Sequence, residues 1–251
     1  MLEVLNLSCG YKDKTVVKSA SFSVGKGETV ALTGPNGCGK TTLLRALCGI
    51  IPYTGGSAKI DGKEISLMKR EELSEHAALL LQTGVASEYS DFTAEETVLL
   101  GRYARQKSCG SSPADIAAAE EYMEKTDILP FRDSIITQLS GGQLQRVMLA
   151  RAFAQEPSVI FLDEPANHLD LRRQIELIYM LKDCADSGKT VVGVFHDLNL
   201  AAALSDRIIV MADGKIAADG GAREICRSQK LSEIYGFDIR GYMLGSLSKW
   251  N

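Results

Sequence analysis

Residues 34–41 read GPNGCGKT, the spacing G-x-x-x-x-G-K-[ST]. Glycines in such a turn let backbone N–H groups converge on one point, which is how a chain cradles phosphate oxygens. Lys40 would neutralise β- and γ-phosphate charge, and the Thr41 hydroxyl suits a Mg²⁺ ion. Gly34, Pro35, Asn36, Gly37, Cys38, Gly39 and Thr42 complete the expected nucleotide turn. A bare glycine-rich turn with a chance lysine is disfavoured, because the apolar run TVALT precedes it and the apolar run TTLLRALCG follows.

Three further groups suit phosphate chemistry. SVIFLDEP (158–165) is an apolar run ending in two carboxylates. Asp163 is placed to hold Mg²⁺ with Thr41, and Glu164 to activate a water as general base. TVVGVFHDLN ends an apolar run on His196, and HAALLL ends one on Gln82, a neutral ligand for the metal or the attacking water. Tyr11, in CGYKDK, offers a ring that could stack on an adenine, although a plain surface tyrosine fits as well.

A second phosphate-suited device lies a hundred residues on. In LSGGQ (139–143), Ser140 is an expected helix N-cap, and Gly141 and Gly142 strip bulk from the helix start. Free N–H groups and a partial positive charge collect there, and Gln143 adds a polar arm. Leu144, Val147, Met148 and Ala152 recur at helical spacing, so an amphipathic helix is expected over 141–153.

The elements that must position these groups follow from the pattern. The beginning reads as β in LEVLNLS, KTVVKSASFSV and ETVALTG, TTLLRALCG reads as an apolar helix, and the Asp-Gly pair in KIDGKEI predicts a hairpin. From about residue 84 to 155 the chain turns Ala- and Glu-rich and helical, an expected lobe inserted in the core. Beyond it, apolar strands such as SVIFL, TVVGVF and RIIVMADGKIAA alternate with helices, which implies a parallel sheet. Gly34, Gln82, Asp163 and His196 each follow an apolar run, so all four are expected at one edge of that sheet, where ligands collect. RGYMLGSLSKWN (240–251) is left between a last strand and a frayed tail.

Composition excludes some classes. The chain has 251 residues, 45% apolar and 24% charged, ordinary values for a globular core. A net charge of −4 gives no support for nucleic acid as a partner. No run approaches the ~20 apolar residues that span a bilayer, and the start, MLEVLNLSCGYKDK, lacks a signal-peptide pattern. Six scattered cysteines (9, 38, 48, 109, 184 and 226) form no C-x-x-C pair, which suits a reducing compartment.

Together, GPNGCGKT, LSGGQ, LDEP and a later strand ending in histidine resemble the ATP-binding subunits of ABC transporters, over nearly the whole chain. The resemblance implies an α/β P-loop NTPase fold with a mixed sheet, an N-terminal antiparallel region and an inserted helical lobe, in one domain spanning 1–251. It implies an ATP hydrolase with Mg²⁺, in which two copies pack head to tail. Each ATP would lie between one phosphate loop and the other copy's 139–143, so the second anion device serves the partner. By position Gln82 matches the glutamine loop, NHLD (167–170) the dimer-contact loop, His196 the switch histidine and Tyr11 the adenine-stacking aromatic.

FTAEETVLLGRYAR, FHDLNLAAALSDRIIVMADGKIAADGGAREI and LSEIYGFDI look more specifically like importers of iron–siderophore complexes, haem and cobalamin. Those imply integral permease subunits, an external solute-binding protein and a place on the cytoplasmic face of the membrane. The permease groove would map to about residues 83–105, unless Leu99, Leu100 and Tyr103 are lobe core. An exporter subunit and a soluble ATPase acting on ribosomes are the alternatives, though the latter usually carry two cassettes and this chain has one. Departures from the pattern are Cys38 in the phosphate loop, Leu80–Leu81 before Gln82 and Leu144 after the signature. Cys38, at a helix N-terminus, is expected to be a reactive thiol that ATP protects from alkylation.

Overall fold

The computed structural model describes residues 1–12, 14–80, 91–105, 110–167 and 169–247. Gln82 and His168 lie outside the described residues.

The chain opens with β1 (Leu2–Tyr11), β2 (Lys14–Val24) and β3 (Thr29–Thr33), followed by α1 (Lys40–Leu47), β4 (Tyr53–Ile60), β5 (Lys63–Glu64) and α2 (Arg70–His76). β2, β1, β4 and β5 form an antiparallel sheet in that order. Its inner face is set by alternation, with Ala20, Phe22 and Val24 inward on β2 and Ser21 and Ser23 outward. The expected hairpin is present. Asp61 and Gly62 both take positive φ, 51° and 80°, and Ile60 pairs with Lys63.

The second sheet is built from β3, β6 (Ala77–Leu80), β7 (Val159–Asp163), β8 (Thr190–Val194), β9 (Arg207–Ala212) and β10 (Lys215–Gly221). Their order is β10-β9-β3-β8-β7-β6, parallel except for the edge pair β9–β10. Every residue of β7 and β8 is buried, as expected of strands covered on both faces. Alternation divides the core in two. Phe161, Val192 and Val194 face one cluster, with α1 and the antiparallel sheet, while Ile160, Leu162 and Val191 face the other. Burying each such side chain stabilises by about 1.5–3 kcal/mol.

That second cluster also takes in α3 (Ala94–Leu99), α4 (Pro113–Lys125), α5 (Gly141–Ala154) and α6 (Leu171–Asp186). α3 and α4 start with capping boxes, Thr93 with Glu96 and Ser112 with Asp115. Arg102 fastens them to α5, donating to Asp115 Oδ1 at 3.1 Å, the Ala154 carbonyl at 2.7 Å and Glu156 Oε2 at 2.9 Å. The helices around α5 thus share one apolar cluster with the sheet instead of forming a core of their own.

Three local readings change. α5 is not simply amphipathic: Gln145, Val147, Met148, Leu149, Ala150, Ala152, Phe153 and Ala154 are buried, because α3, α4 and β6 pack around it. RIIVMADGKIAA is two strands joined by a turn at Asp213 and Gly214, both with positive φ. The C-terminal stretch is neither strand nor frayed tail as far as residue 247, but a helix from Ile239 to Leu247. Among the described residues no helix is long and apolar enough to cross a membrane.

Candidate nucleotide site

Strand register brings the chemistry together. Val194 of β8 pairs with Leu32 of β3 on one side and Asp163 of β7 on the other. Gly34, Glu164 and His196, each just beyond one of these ends, therefore converge on a single edge. Gly34 (φ 139°) must be glycine, since a Cβ there would sit 2.0 Å from the Met211 carbonyl oxygen of β9. α1 begins at Gly39 with no side-chain cap, so its first N–H groups remain available to an anion. A cavity of about 390 Å³ results, lined by most of the turn from Asn36 to Thr42, by Glu164 and His196, and by Val16.

Lys40 is buried and folded back on the loop, donating to the Gly34 carbonyl at 2.7 Å and the Pro35 carbonyl at 3.1 Å. Asp163 is 2% exposed, and its Oδ1 has no hydrogen-bond partner among the described residues. Burial pushes its carboxyl above the ordinary range; the Thr41 hydroxyl bond opposes this, and the neighbouring Glu164 charge adds to it. A buried, orphaned carboxylate oxygen beside a hydroxyl is a hard-oxygen donor set, and it fits a magnesium ion.

Glu164 sits in the left-handed region (φ 54°), with its N–H donating to the Val194 carbonyl at 3.1 Å. Its two carboxylate oxygens have different partners. Oε1 meets His196 Nε2, and Oε2 accepts from Asn167 Nδ2 at 2.5 Å. Within this chain the Asn167 side chain turns to Glu164. Asp170 caps α6 through its Oδ1 and the Arg173 N–H at 2.9 Å.

Ser140 caps α5: its Oγ accepts from the Gln143 N–H at 3.3 Å, and Gln143 Oε1 accepts from the Ser140 N–H at 2.8 Å. A Cβ built at Gly141 would meet nothing within 4 Å, so the space before this helix is open. None of residues 139–143 lines the cavity at the phosphate loop.

Other expected residues stand apart from the cavity. Tyr11 ends β1, paired with Lys14, and its hydroxyl accepts from Arg45 Nη1 at 3.2 Å. Cys38 does not present its side chain to the nucleotide. It is buried under the loop, with Lys40 Nζ 3.8 Å from its Sγ, because its neighbours' glycine turns point it inward. Ready alkylation of the native protein is therefore not expected. Tyr103 is exposed, not lobe core, whereas Leu99 and Leu100 are half-buried; Gln82 cannot be placed, lying outside the described residues. Val16, which lines the cavity, has no signal in the sequence, and Asn167, read there only as part of the 167–170 loop, reaches Glu164 as well.

Residues 17–167 match the family described as ABC transporter. The chain is 38% identical to YvrA of Bacillus subtilis, an uncharacterised ABC transporter ATP-binding protein, over 93% of this chain but 53% of that one. It thus spans about half the length of YvrA. It is 34% identical to the iron(3+)-hydroxamate import ATP-binding protein FhuC of Bacillus subtilis, over 94% of this chain and 88% of that one. Among solved structures, the dimeric bacterial ABC transporter cassette MJ0796 superimposes with TM-score 0.80 at 29% identity, over 89% of this chain and all of that one.

Proposed function

We propose that this chain, which belongs to the ABC transporter family of ATP-hydrolysing cassettes, energises import of a metal chelate (an iron–siderophore complex or haem) or a cobalamin-like solute. Residues 1–251 would act as one ATPase unit with a helical lobe at about 84–155. Its partners would be a second copy of itself, integral membrane permease subunits at the cytoplasmic face of the membrane, and an external solute-binding protein acting through them.

One observation carries the reading. The chain has a phosphate-loop cavity and, apart from it, an open helix start at Ser140–Gly141 that its own cavity does not use. A head-to-tail pair completes both. The Asn36–Thr42 turn holds the phosphates through backbone N–H groups, and Lys40 leaves the Gly34 and Pro35 carbonyls to neutralise them. Thr41 and Asp163 would hold Mg²⁺, with Gln82 as a further candidate ligand, and the ion would supply charge neutralisation to the phosphates. Glu164 accepts a proton from the attacking water in line with the γ-phosphorus. His196, now against Glu164 Oε1, would turn to the γ-phosphate. Ser140, Gly141, Gly142 and Gln143 grip the γ-phosphate on the other copy, so hydrolysis removes the group that both copies hold. The similarity to an import ATPase, FhuC, supports the direction and solute class.

Extraction of native membranes in mild detergent with this chain tagged tests the purpose. A multi-spanning permease should co-purify in equal amount; ribosomes or soluble partners without one would overturn the transport reading. Light scattering of Glu164→Gln tests the pair, since ATP should convert monomers to dimers.

A further inference from the structure

We propose that Gln145 is the positioning residue through which ATP bound at one site of the pair sets the catalytic base of the other. The inference rests on the head-to-tail reading above. Gln145 lies about one turn beyond Gly141 on α5, roughly 6 Å along the axis, and only 8% of it is exposed. A buried amide there needs a polar partner, and Nε2 donates to the Pro165 carbonyl at 3.0 Å. Pro165 directly follows Glu164, so the helix that grips the other copy's ATP is bonded to the backbone of this copy's base.

The turn beyond Glu164 is held so that such a pull reaches the carboxylate. Asn167 donates its N–H to the Glu164 carbonyl at 3.2 Å and its side-chain amide to Oε2 at 2.5 Å. From the far side, Gln174 of α6 donates to the Leu169 carbonyl at 3.2 Å and the Ala166 carbonyl at 3.4 Å. α5 and α6 are joined in turn, because Arg146 and Arg173 both reach Asp127 Oδ2, at 3.0 and 2.6 Å. Glu164 thus sits on a turn hydrogen-bonded to two helices that Asp127 links to each other. Displacing a base by about 1 Å can cost 10²-fold in rate, so a small shift of α5 is enough to switch it.

Mixed dimers separate this role from general support of the signature. The reference dimer pairs a wild-type protomer with a Glu164→Gln protomer, leaving one working base. Gln145→Leu placed in the wild-type protomer breaks the link to the working base. It should lower hydrolysis by about ten-fold or more with the KM for ATP changed by less than about two-fold. Placed in the Glu164→Gln protomer, it breaks only the link to a base already lost, and the rate should stay within about two-fold of the reference. Equal effects of the two placements, or a larger effect of the second, would overturn the proposal, the latter making Gln145 a support for the signature. Should Gln145→Leu lose its melting transition, Gln145→Glu replaces it. Its carboxylate cannot donate to the Pro165 oxygen, so the same asymmetry between the two placements is expected. If no ATP-dependent dimer forms with Gln145 intact, it is the head-to-tail reading that falls, and the proposal with it.

Discussion

His196, beyond the end of β8, sets its Nε2 against Glu164 Oε1 at the end of β7, so the two side chains close one wall of the phosphate-loop cavity. Asn167 binds the other carboxylate oxygen, and each oxygen keeps a second lone pair with which Glu164 can accept a proton from water. Glu164→Gln should therefore cut steady-state phosphate release by about 10²–10⁴-fold while leaving nucleotide affinity intact. His196→Ala should cost less, since it removes a partner and not the base. Phosphate-release assays with a fluorescent nucleotide titration decide both; a Glu164→Gln rate within a few-fold of wild type would contradict the role.

Lys40 is the cation of the loop, and its ammonium already satisfies two loop carbonyls. Removing it costs a charge-assisted contact to phosphate of about 1.5–3 kcal/mol, roughly 10–150-fold in affinity. Lys40→Met should show that loss by calorimetry. Lys40→Arg should not restore it, because the planar fork does not fit where a compact ammonium lies buried under the turn.

Asp163 should make the nucleotide-free protein pH-sensitive. Burial raises its folded pKa above the unfolded value of 3.8, so its contribution to stability is full below that value. It is lost as pH rises through the folded pKa, where the unfolded chain sheds its proton more readily. Asp163→Asn escapes that penalty. Without nucleotide or Mg²⁺, its melting temperature should exceed the wild type's by more at pH 8 than at pH 5, while Mg²⁺-dependent hydrolysis is lost. A constant difference across pH would show that Asp163 stays in one protonation state throughout.

Motifs whose geometry is local were legible in the sequence. The Asp61–Gly62 turn, the unbroken apolar runs of β7 and β8, and the Ser140 cap each follow from a few adjacent residues. Register then carried Gly34, Glu164 and His196 to one edge. Contacts across the fold were not legible. Cys38 is buried with its Sγ close to Gly34, which itself lies against Met211, 177 residues away. By spacing Gln145 belongs to a helical face, and its partner at Pro165 follows only from the packing of α5 against β6, α3 and α4. The C-terminal helix has mixed glycines and apolar residues with no clear period, so neither strand nor helix stood out.

Gly141 separates folding from function most sharply. A Cβ there meets no described residue within 4 Å, and the position is the first of α5, where a negative charge stabilises a helix by about 0.3–1 kcal/mol. Gly141→Asp should therefore melt at or slightly above the wild-type temperature. The same carboxylate would stand where the other copy's γ-phosphate is gripped, and two anions cannot share that helix end. ATP should still bind the monomer through Lys40 and its loop, yet ATP-dependent dimerisation and hydrolysis should both disappear. Light scattering of the double variant Gly141→Asp, Glu164→Gln measures the first, and phosphate release from Gly141→Asp alone the second. Dimers that persist would mean that the open space before α5 is not where the second copy's nucleotide lies.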